Sequence, residues 1–276
     1  MSTPYQHPGA PAGSYASPIP VRGAHLGDAL ASEWTKIRSV RSTMWTLGVM
    51  IALMVGVGLG LAALTAAADV DMGEETALSG GFTGTMLGSI CVLTLGVLTI
   101  TSEYGTGMIR TTLTACPSRG RVLAAKSIVF FLVVFAVTTL TAAVVAAVQT
   151  AMIDAAEATG GEWFRATVGV GLFVATLGLL SLAVGTLIRH SAGAITLMVG
   201  LMLFPLVAAM FMFSESLEDL RMFLLEYGIP SLLLAFYGTT GLTDTGPSGW
   251  EPLWILLGIT AAAMGGAFAS LSTRDV

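Results

Sequence analysis

Six apolar runs decide what this chain can fold into: residues 44–67, 83–101, 127–150, 168–188, 192–213 and 253–271. A helix needs about 20 residues to cross the hydrocarbon core of a bilayer, and each run meets that length. Charged residues make up only 11% of the chain, against about 25% in soluble domains. The sequence therefore predicts an all-α integral membrane protein with six transmembrane helices.

A seventh stretch, residues 220–242, is apolar but contains Arg221, Glu226, Gly228 and Pro230. A spanning helix here would carry two charges into the membrane and would break at the proline. We therefore predict short helices at one face of the membrane, between the fifth and sixth spans, instead of a seventh span.

The basic residues indicate how the spans are oriented. If both chain ends face the cytoplasm, only Arg165 and Arg221 of the 12 Lys and Arg residues fall on the outer side. Cytoplasmic loops of membrane proteins are enriched in Lys and Arg. The loops after spans one and three are acidic, and their dispersed acids lack the ligand spacing of a calcium site. The sequence therefore predicts cytoplasmic termini and solvated acidic outer loops.

The first residues differ from the rest of the chain. Residues 1–24 hold five of the 10 prolines and lack the apolar core of a signal peptide. Such a segment cannot bury enough apolar surface to fold. We predict a disordered cytoplasmic tail over residues 1–24, followed by one transmembrane domain over residues 25–276.

Residues 25–42, just before the first span, have the periodicity of an amphipathic helix. Four apolar residues recur on one helical face, namely Leu26, Leu30, Trp34 and Ile37. Tryptophan suits the headgroup region, and cations suit an anionic inner leaflet. We predict a helix lying on the cytoplasmic membrane surface; a basic flank that only anchors the first span is the alternative. The residues singled out in this helix are Glu33, Trp34, Lys36, Arg38 and Arg41.

The residues needed for several kinds of chemistry are missing from the sequence. The six apolar runs contain no Asp, Glu, Lys or Arg, which disfavours an ion-coupled carrier. The three histidines fall outside the runs, and neither HExxH nor GxxxxGK[ST] occurs. We therefore expect no enzymatic activity, no bound cofactor or metal, and no nucleic-acid partner. Any ATP would have to bind to another chain.

The segment TSEYGTGMIRTTLTACPSRGRVLAAK, residues 101–126, separates spans two and three. Gly105 and Gly107 permit a sharp reversal of the chain. Residues 106–115 are predicted to form a short helix that ends before Pro117, with one semi-apolar side composed of Met108, Ile109, Thr112 and Leu113. Such a helix suits the groove of a partner protein.

A simpler role for this segment is that of a basic anchor that only fixes the topology. That role explains Arg119, Arg121 and Lys126. It does not explain the acidic residue Glu103 or the pair of glycines.

These segments resemble a known family. SEWTKIRSVRSTMW before span one, SEYGTGMIRTTLTACPSRGRVLAAK between spans two and three, and the terminal STRDV are similar to the permease subunits of type-2 ATP-binding-cassette exporters. The resemblance covers residues 26–276. It implies two permease halves, each resting on a separate cytoplasmic ATPase that binds ATP and Mg²⁺.

The resemblance also implies roles for individual segments. The surface helix around residues 33–41 would be the elbow helix, and residues 106–115 would be the coupling helix that contacts the ATPase. Residues 214–250 would hold short extracellular helices. The residues expected to take part in ATPase coupling are Glu103, Tyr104, Gly105, Thr106, Arg110, Thr111, Leu113 and Arg119.

Several alternatives stay open at the level of sequence. The expected cargo is hydrophobic or amphipathic, such as a drug, lipid or peptide, and the permease pair can be two copies of this chain or two different chains. An ATP-independent ion-coupled carrier and a membrane immunity or binding protein are the competing functions. Abundant alanine, and arginine in excess of lysine, indicate a GC-rich bacterium, for which we expect an actinobacterial plasma membrane.

Overall fold

A computed structural model describes residues 25–68, 72–73, 75–116, 118–238 and 245–273. In this part of the chain, six helical segments are long and apolar enough to cross a membrane: Arg41–Ala67, Ala77–Gly105, Arg119–Met152, Gly160–Ile188, Ser191–Met210 and Glu251–Thr273. The predicted all-α fold with six spans is confirmed. The side of the membrane on which each end lies stays a prediction.

The helices follow one another along the chain with short connections. They are α1 Leu26–Ser39, α2 Arg41–Ala67, α3 Gly81–Gly105, α4 Met108–Ala115, α5 Arg119–Met152, α6 Gly160–Phe164, α7 Val170–Ile188, α8 Ser191–Met210, α9 Glu218–Tyr227, α10 Ile229–Leu234 and α11 Glu251–Thr273. A 3-10 turn, Ala77–Gly80, leads into α3, and a π-helical turn, Arg165–Gly169, joins α6 to α7.

The helices extend beyond the apolar runs at the end that carries α4. α3 continues to Gly105 and α5 begins at Arg119, so both Glu103 and Lys126 lie within long helices. The Ser118 side chain caps α5 by accepting a hydrogen bond from the Arg121 amide. The charge-free spans expected from the sequence are therefore shorter than the helices, because hydropathy reports where the lipid core ends and not where the helix ends.

Helix α7 lies at the centre of the bundle, with α3, α5, α8 and α11 packed around it. Its crossing with α3 is very close, because a Cβ atom on Gly96 would lie 2.5 Å from the Gly178 carbonyl oxygen. Small residues at a crossing let two membrane helices approach at backbone distance. The other spans are arranged around this α3–α7 crossing.

The segment between spans five and six is broken. Its two helical parts are Glu215–Tyr227 and Ile229–Tyr237, and the chain bends by 46° between their axes. Gly228 is extended there, and Pro230 occupies the first turn of α10, where a missing N–H costs no hydrogen bond. The structure thus has short helices here, as the charges and the proline predicted.

Some predicted features lie outside the described residues. They are the tail over residues 1–24, the acidic residues Asp69, Asp71 and Glu74, the helix-ending Pro117, and residues 274–276 of the terminal STRDV.

Candidate functional site

Helix α1 packs against α5 and α2. Of its four periodic apolar residues, Leu26 and Trp34 are 42% and 47% exposed, while Leu30 and Ile37 are half-buried. Glu33 is the one buried residue of this helix. The helix predicted from the periodicity is present, with buried Glu33 and half-buried Lys36 turned toward the bundle.

Glu33 belongs to a buried group of four ionisable side chains, which we call the ion network: Glu33, Lys36, Glu103 and Lys126. Lys126 Nζ donates to Glu33 Oε2 at 2.7 Å and to Glu103 Oε1 at 2.8 Å. Lys36 Nζ donates to Glu33 Oε1 at 2.7 Å and to Glu103 Oε1 at 2.9 Å. Each lysine therefore bridges both glutamates, and the formal charges cancel.

The ion network is almost entirely removed from solvent. Lys126, Glu103 and Glu33 are only 1%, 2% and 4% exposed. Removing one partner of such a buried pair leaves an uncompensated charge and typically costs about 3–5 kcal/mol. Because the four residues come from α1, α3 and α5, the network fixes α1 onto the ends of spans two and three.

Lys36 lies at the edge of this network, with its side chain 26% exposed. Burial alone would lower the pKa of its ammonium group, but the hydrogen bonds and charges of Glu33 and Glu103 outweigh that effect. The pKa of Lys36 is therefore raised above its ordinary value. Lys36 is charged at neutral pH.

Helix α4 is positioned by the turn that precedes it. Gly107 has φ of +70°, a left-handed conformation that a glycine adopts without strain. Gly105 needs no such freedom, because it is the last residue of α3. The predicted helix over residues 106–115 begins at Met108, and Thr106 caps α3 instead.

The two sides of α4 differ. Ile109 is buried, and Thr112 and Leu113 are half-buried against the bundle. Arg110 and Thr111 are exposed. Met108, expected on the apolar side, is 43% exposed because it is the first residue of the helix and projects beyond its buried side.

A groove of about 370 Å³ runs between α1 and α4. Ser32, Glu33 and Lys36 line it from α1, and Met108 and Thr111 are among the residues that line it from α4. A groove between two helices, with mixed apolar and polar walls, suits a helix of a partner protein. We call it the α1–α4 groove, and the ion network forms part of its wall.

Two arginines hold the ends of other spans next to this site. Arg119, the first residue of α5, donates from Nη1 to the Leu271 carbonyl oxygen of α11 at 2.9 Å. The Arg189 guanidinium, at the end of α7, lies 5.1 Å from the centroid of the Tyr104 ring in α3. This distance is within the range of a cation–π interaction.

The structure brings some of the predicted residues together and separates others. Glu33, Lys36 and Glu103 meet in the ion network. Arg38 instead lies 5.7 Å from the Trp34 ring centroid on the outer side of α1. Assigning Arg41 to the elbow helix was wrong: α1 ends at Ser39, Val40 is extended, and Arg41 begins α2.

Two contributors were missed by the sequence reasoning. Lys126 was considered as a basic anchor and as the end of the family-like segment, but not as a site residue, and Arg189 was not considered for the site. A signal for Lys126 existed, since Lys36 and Lys126 are the only lysines of the chain and both lie beside a span end. No pattern in the sequence pairs Arg189 with Tyr104.

Comparison with known protein families gives one match. The family model described as ABC-2 family transporter protein matches residues 29–205, which include the ion network, α4 and spans one to four. A search of curated proteins gives no match.

Proposed function

The chain belongs to the ABC-2 transporter family, and from this premise we propose that it is the permease half of an ATP-driven exporter. Membership makes it a multi-pass permease component of an ABC transporter. The proposal adds energy coupling through a separate cytoplasmic ATPase, outward transport of a hydrophobic or amphipathic cargo, and residence in a bacterial plasma membrane.

The observation that supports coupling most strongly is the ion network beside the α1–α4 groove. A helix of the ATPase would seat in this groove and touch α1 and α4 together. Exposed Arg110 and Thr111 would face that partner, while Ile109 and Leu113 hold α4 to the bundle. ATP and Mg²⁺ would be bound by the partner chain.

The ion network gives the groove a mechanical role. A force on α1 cannot displace this helix alone, because moving Glu33 away from Lys126 would leave both charges buried without partners. The free-energy cost favours movement of α1, α3 and α5 as one unit. Movement of the ATPase would in this way reach spans two and three.

The apolar outer sides of the bundle suit lipid and a second permease half. α2 exposes Trp45 and Leu64, which are 75% and 68% exposed, and α8 exposes Phe204, which is 67% exposed. Side chains of this size are covered by a bilayer or a partner in membrane proteins. Pairing of two permease halves would leave the cargo path between them.

The proposal is tested by purifying the tagged chain from its own host and identifying bound proteins by mass spectrometry. We expect a roughly stoichiometric soluble chain that carries a phosphate-binding loop. Purification without such a chain would contradict the proposal and favour an autonomous carrier or an immunity protein.

Two variants of α4 locate the contact. Thr111 and Thr114 are both exposed threonines of α4, but only Thr111 lines the groove. Thr111→Trp should fill the groove and reduce the recovered ATPase at least tenfold, whereas Thr114→Trp should leave it unchanged. Equal recovery with both variants would exclude the α1–α4 groove as the contact.

A further inference from the structure

A second buried polar cluster lies at the opposite end of the bundle from α4. Its centre is Gln149, near the end of α5 and 0% exposed. Gln149 Nε2 donates to the Gly58 carbonyl oxygen in α2 at 3.0 Å. Because a carbonyl can only accept, this contact fixes the orientation of the amide and turns Oε1 the other way. Within the described residues, Gln149 Oε1 accepts no hydrogen bond.

The second part of the cluster comes from the segment between spans five and six. The Tyr237 hydroxyl, at the end of that segment, lies 2.7 Å from Thr85 Oγ1 of α3. Both residues are buried, at 5% and 2% exposed. This hydrogen bond ties the broken helical segment to span two.

Gly81 lies between the two parts. A Cβ atom on Gly81 would lie 3.6 Å from both Gln149 Oε1 and the Tyr237 hydroxyl oxygen. The two polar atoms therefore flank the same small space. A cavity of about 10 Å³ is lined by these residues, by Thr85 and by six apolar residues, and no charged side chain lines it.

We propose that this cavity is a binding site for one water molecule. Its volume is close to the minimum of about 10–15 Å³ that one water needs. The water would donate one hydrogen bond to Gln149 Oε1 and make a second with the Tyr237 hydroxyl. This satisfies a buried acceptor that is otherwise costly to leave without a partner.

The chemistry of the cavity selects water over other occupants. A cation would need more oxygen ligands than Gln149, Tyr237 and Thr85 supply, and an apolar group would leave Gln149 Oε1 without a donor. The bound water would complete a network of hydrogen bonds between neutral groups. This network would join α2, α3, α5 and the segment Ile229–Tyr237.

A double-mutant cycle tests this site, because no direct hydrogen bond joins Gln149 to Tyr237 and the water would be their link. Gln149→Met and Tyr237→Phe keep the side-chain volumes nearly constant. Each variant should lower the midpoint of thermal unfolding in detergent. The double variant should lower it by less than the sum of the two single effects, because both variants lose the same water while each also loses its own direct hydrogen bond. If the two single shifts in the unfolding midpoint add up in the double variant, the proposal is overturned.

Thr138 supplies the matched control. It lies in α5, is 0% exposed, and its hydroxyl also has no hydrogen-bond partner among the described residues. It is about 16 Å from Gln149 along the helix axis. Thr138→Val combined with Tyr237→Phe should give additive shifts, and coupling of similar size in this pair would overturn the proposal.

A direct observation covers the case in which a variant fails to fold. A cryo-EM map of the unmodified protein, at a resolution that shows other buried waters, should show density between Gln149 Oε1 and the Tyr237 hydroxyl. A map that resolves other buried waters and shows none at this position would overturn the proposal.

Discussion

The two ends of the bundle are held together by different chemistry. At the charged end, which comprises α1, α4 and the ion network, Lys126 and Lys36 bridge two buried glutamates at 2.7–2.9 Å. At the opposite end, which we call the aromatic end, Phe236 is 0% exposed. Its ring centroid lies 5.6 Å from that of Phe173 and 5.9 Å from that of Trp250.

This difference teaches how each end can respond to force. Buried ions require their partners at fixed positions, so the charged end resists internal sliding. Aromatic pairs are uncharged and contribute only about 0.5–1.5 kcal/mol beyond their buried area, so a small shift of the rings costs less than separating buried ions. The charged end is thus suited to receive and transmit a movement, and the aromatic end is suited to rearrange in response.

The largest expected effect is that of Lys126→Met. It leaves Glu33 and Glu103 buried with only Lys36 to compensate them, and we expect a loss of about 4 kcal/mol in the free energy of unfolding. Thermal unfolding of the purified protein in detergent measures the loss. Lys36→Met is the matched control and should cost clearly less, because the Lys36 side chain is 26% exposed against 1% for Lys126. If both variants lose the same free energy of unfolding, burial does not distinguish Lys126 from Lys36 in the network.

The next effect lies at the aromatic end. Phe236→Ala removes a fully buried ring and should cost about 3 kcal/mol, through lost transfer energy and the cavity left behind. Phe236→Leu, which refills most of that volume, should recover more than half of the loss in the same unfolding assay. A variant that unfolds like the parent protein would mean that this end is not held by aromatic packing.

The charged end also shows what sequence reasoning could reach. The six spans, α1 and α4 were all predicted, because hydropathy and helical periodicity are local properties. The start of span three was missed by eight residues, since its helix begins at Arg119 and its apolar run at residue 127. Periodicity predicted the helix that carries Glu33, but it could not name Lys126, 93 residues away, as the partner of Glu33. The pairing of Arg189 with Tyr104 could not be predicted either, because these residues are also far apart in the sequence.

A smaller effect should follow from Arg189→Ala. It removes the cation over the half-buried Tyr104 ring, and we expect a loss of about 1 kcal/mol in the free energy of unfolding. Arg38→Ala removes the exposed contact with Trp34 and should cost less, since water competes there. A larger loss for Arg38→Ala in thermal unfolding would contradict the importance of the Arg189 contact.

The smallest effect is expected for Arg221→Ala, in α9. Its ion pair with Glu218 spans 3.3 Å, but the two side chains are 40% and 52% exposed. An exposed pair of this kind contributes less than about 0.5 kcal/mol, and added salt screens it. A loss comparable to that of Lys126→Met would show that the charges of both ends act alike.

The central claim is that the ion network passes the movement of an ATPase to the far end of the bundle. Labelling of a single thiol in α9 tests it most directly, in the complex purified with its ATPase. The two native cysteines, Cys91 and Cys116, are replaced by serine, and Phe223→Cys introduces the thiol at a position that is 54% exposed.

We expect ATP with vanadate to change the labelling rate of this thiol at least threefold. Glu103→Gln should abolish the change while the ATPase still co-purifies, because the variant keeps the shape of the network and removes one of its charges. Glu218→Gln, in the exposed pair, should leave the response intact. An unchanged ATP response in the Glu103→Gln complex would contradict the account.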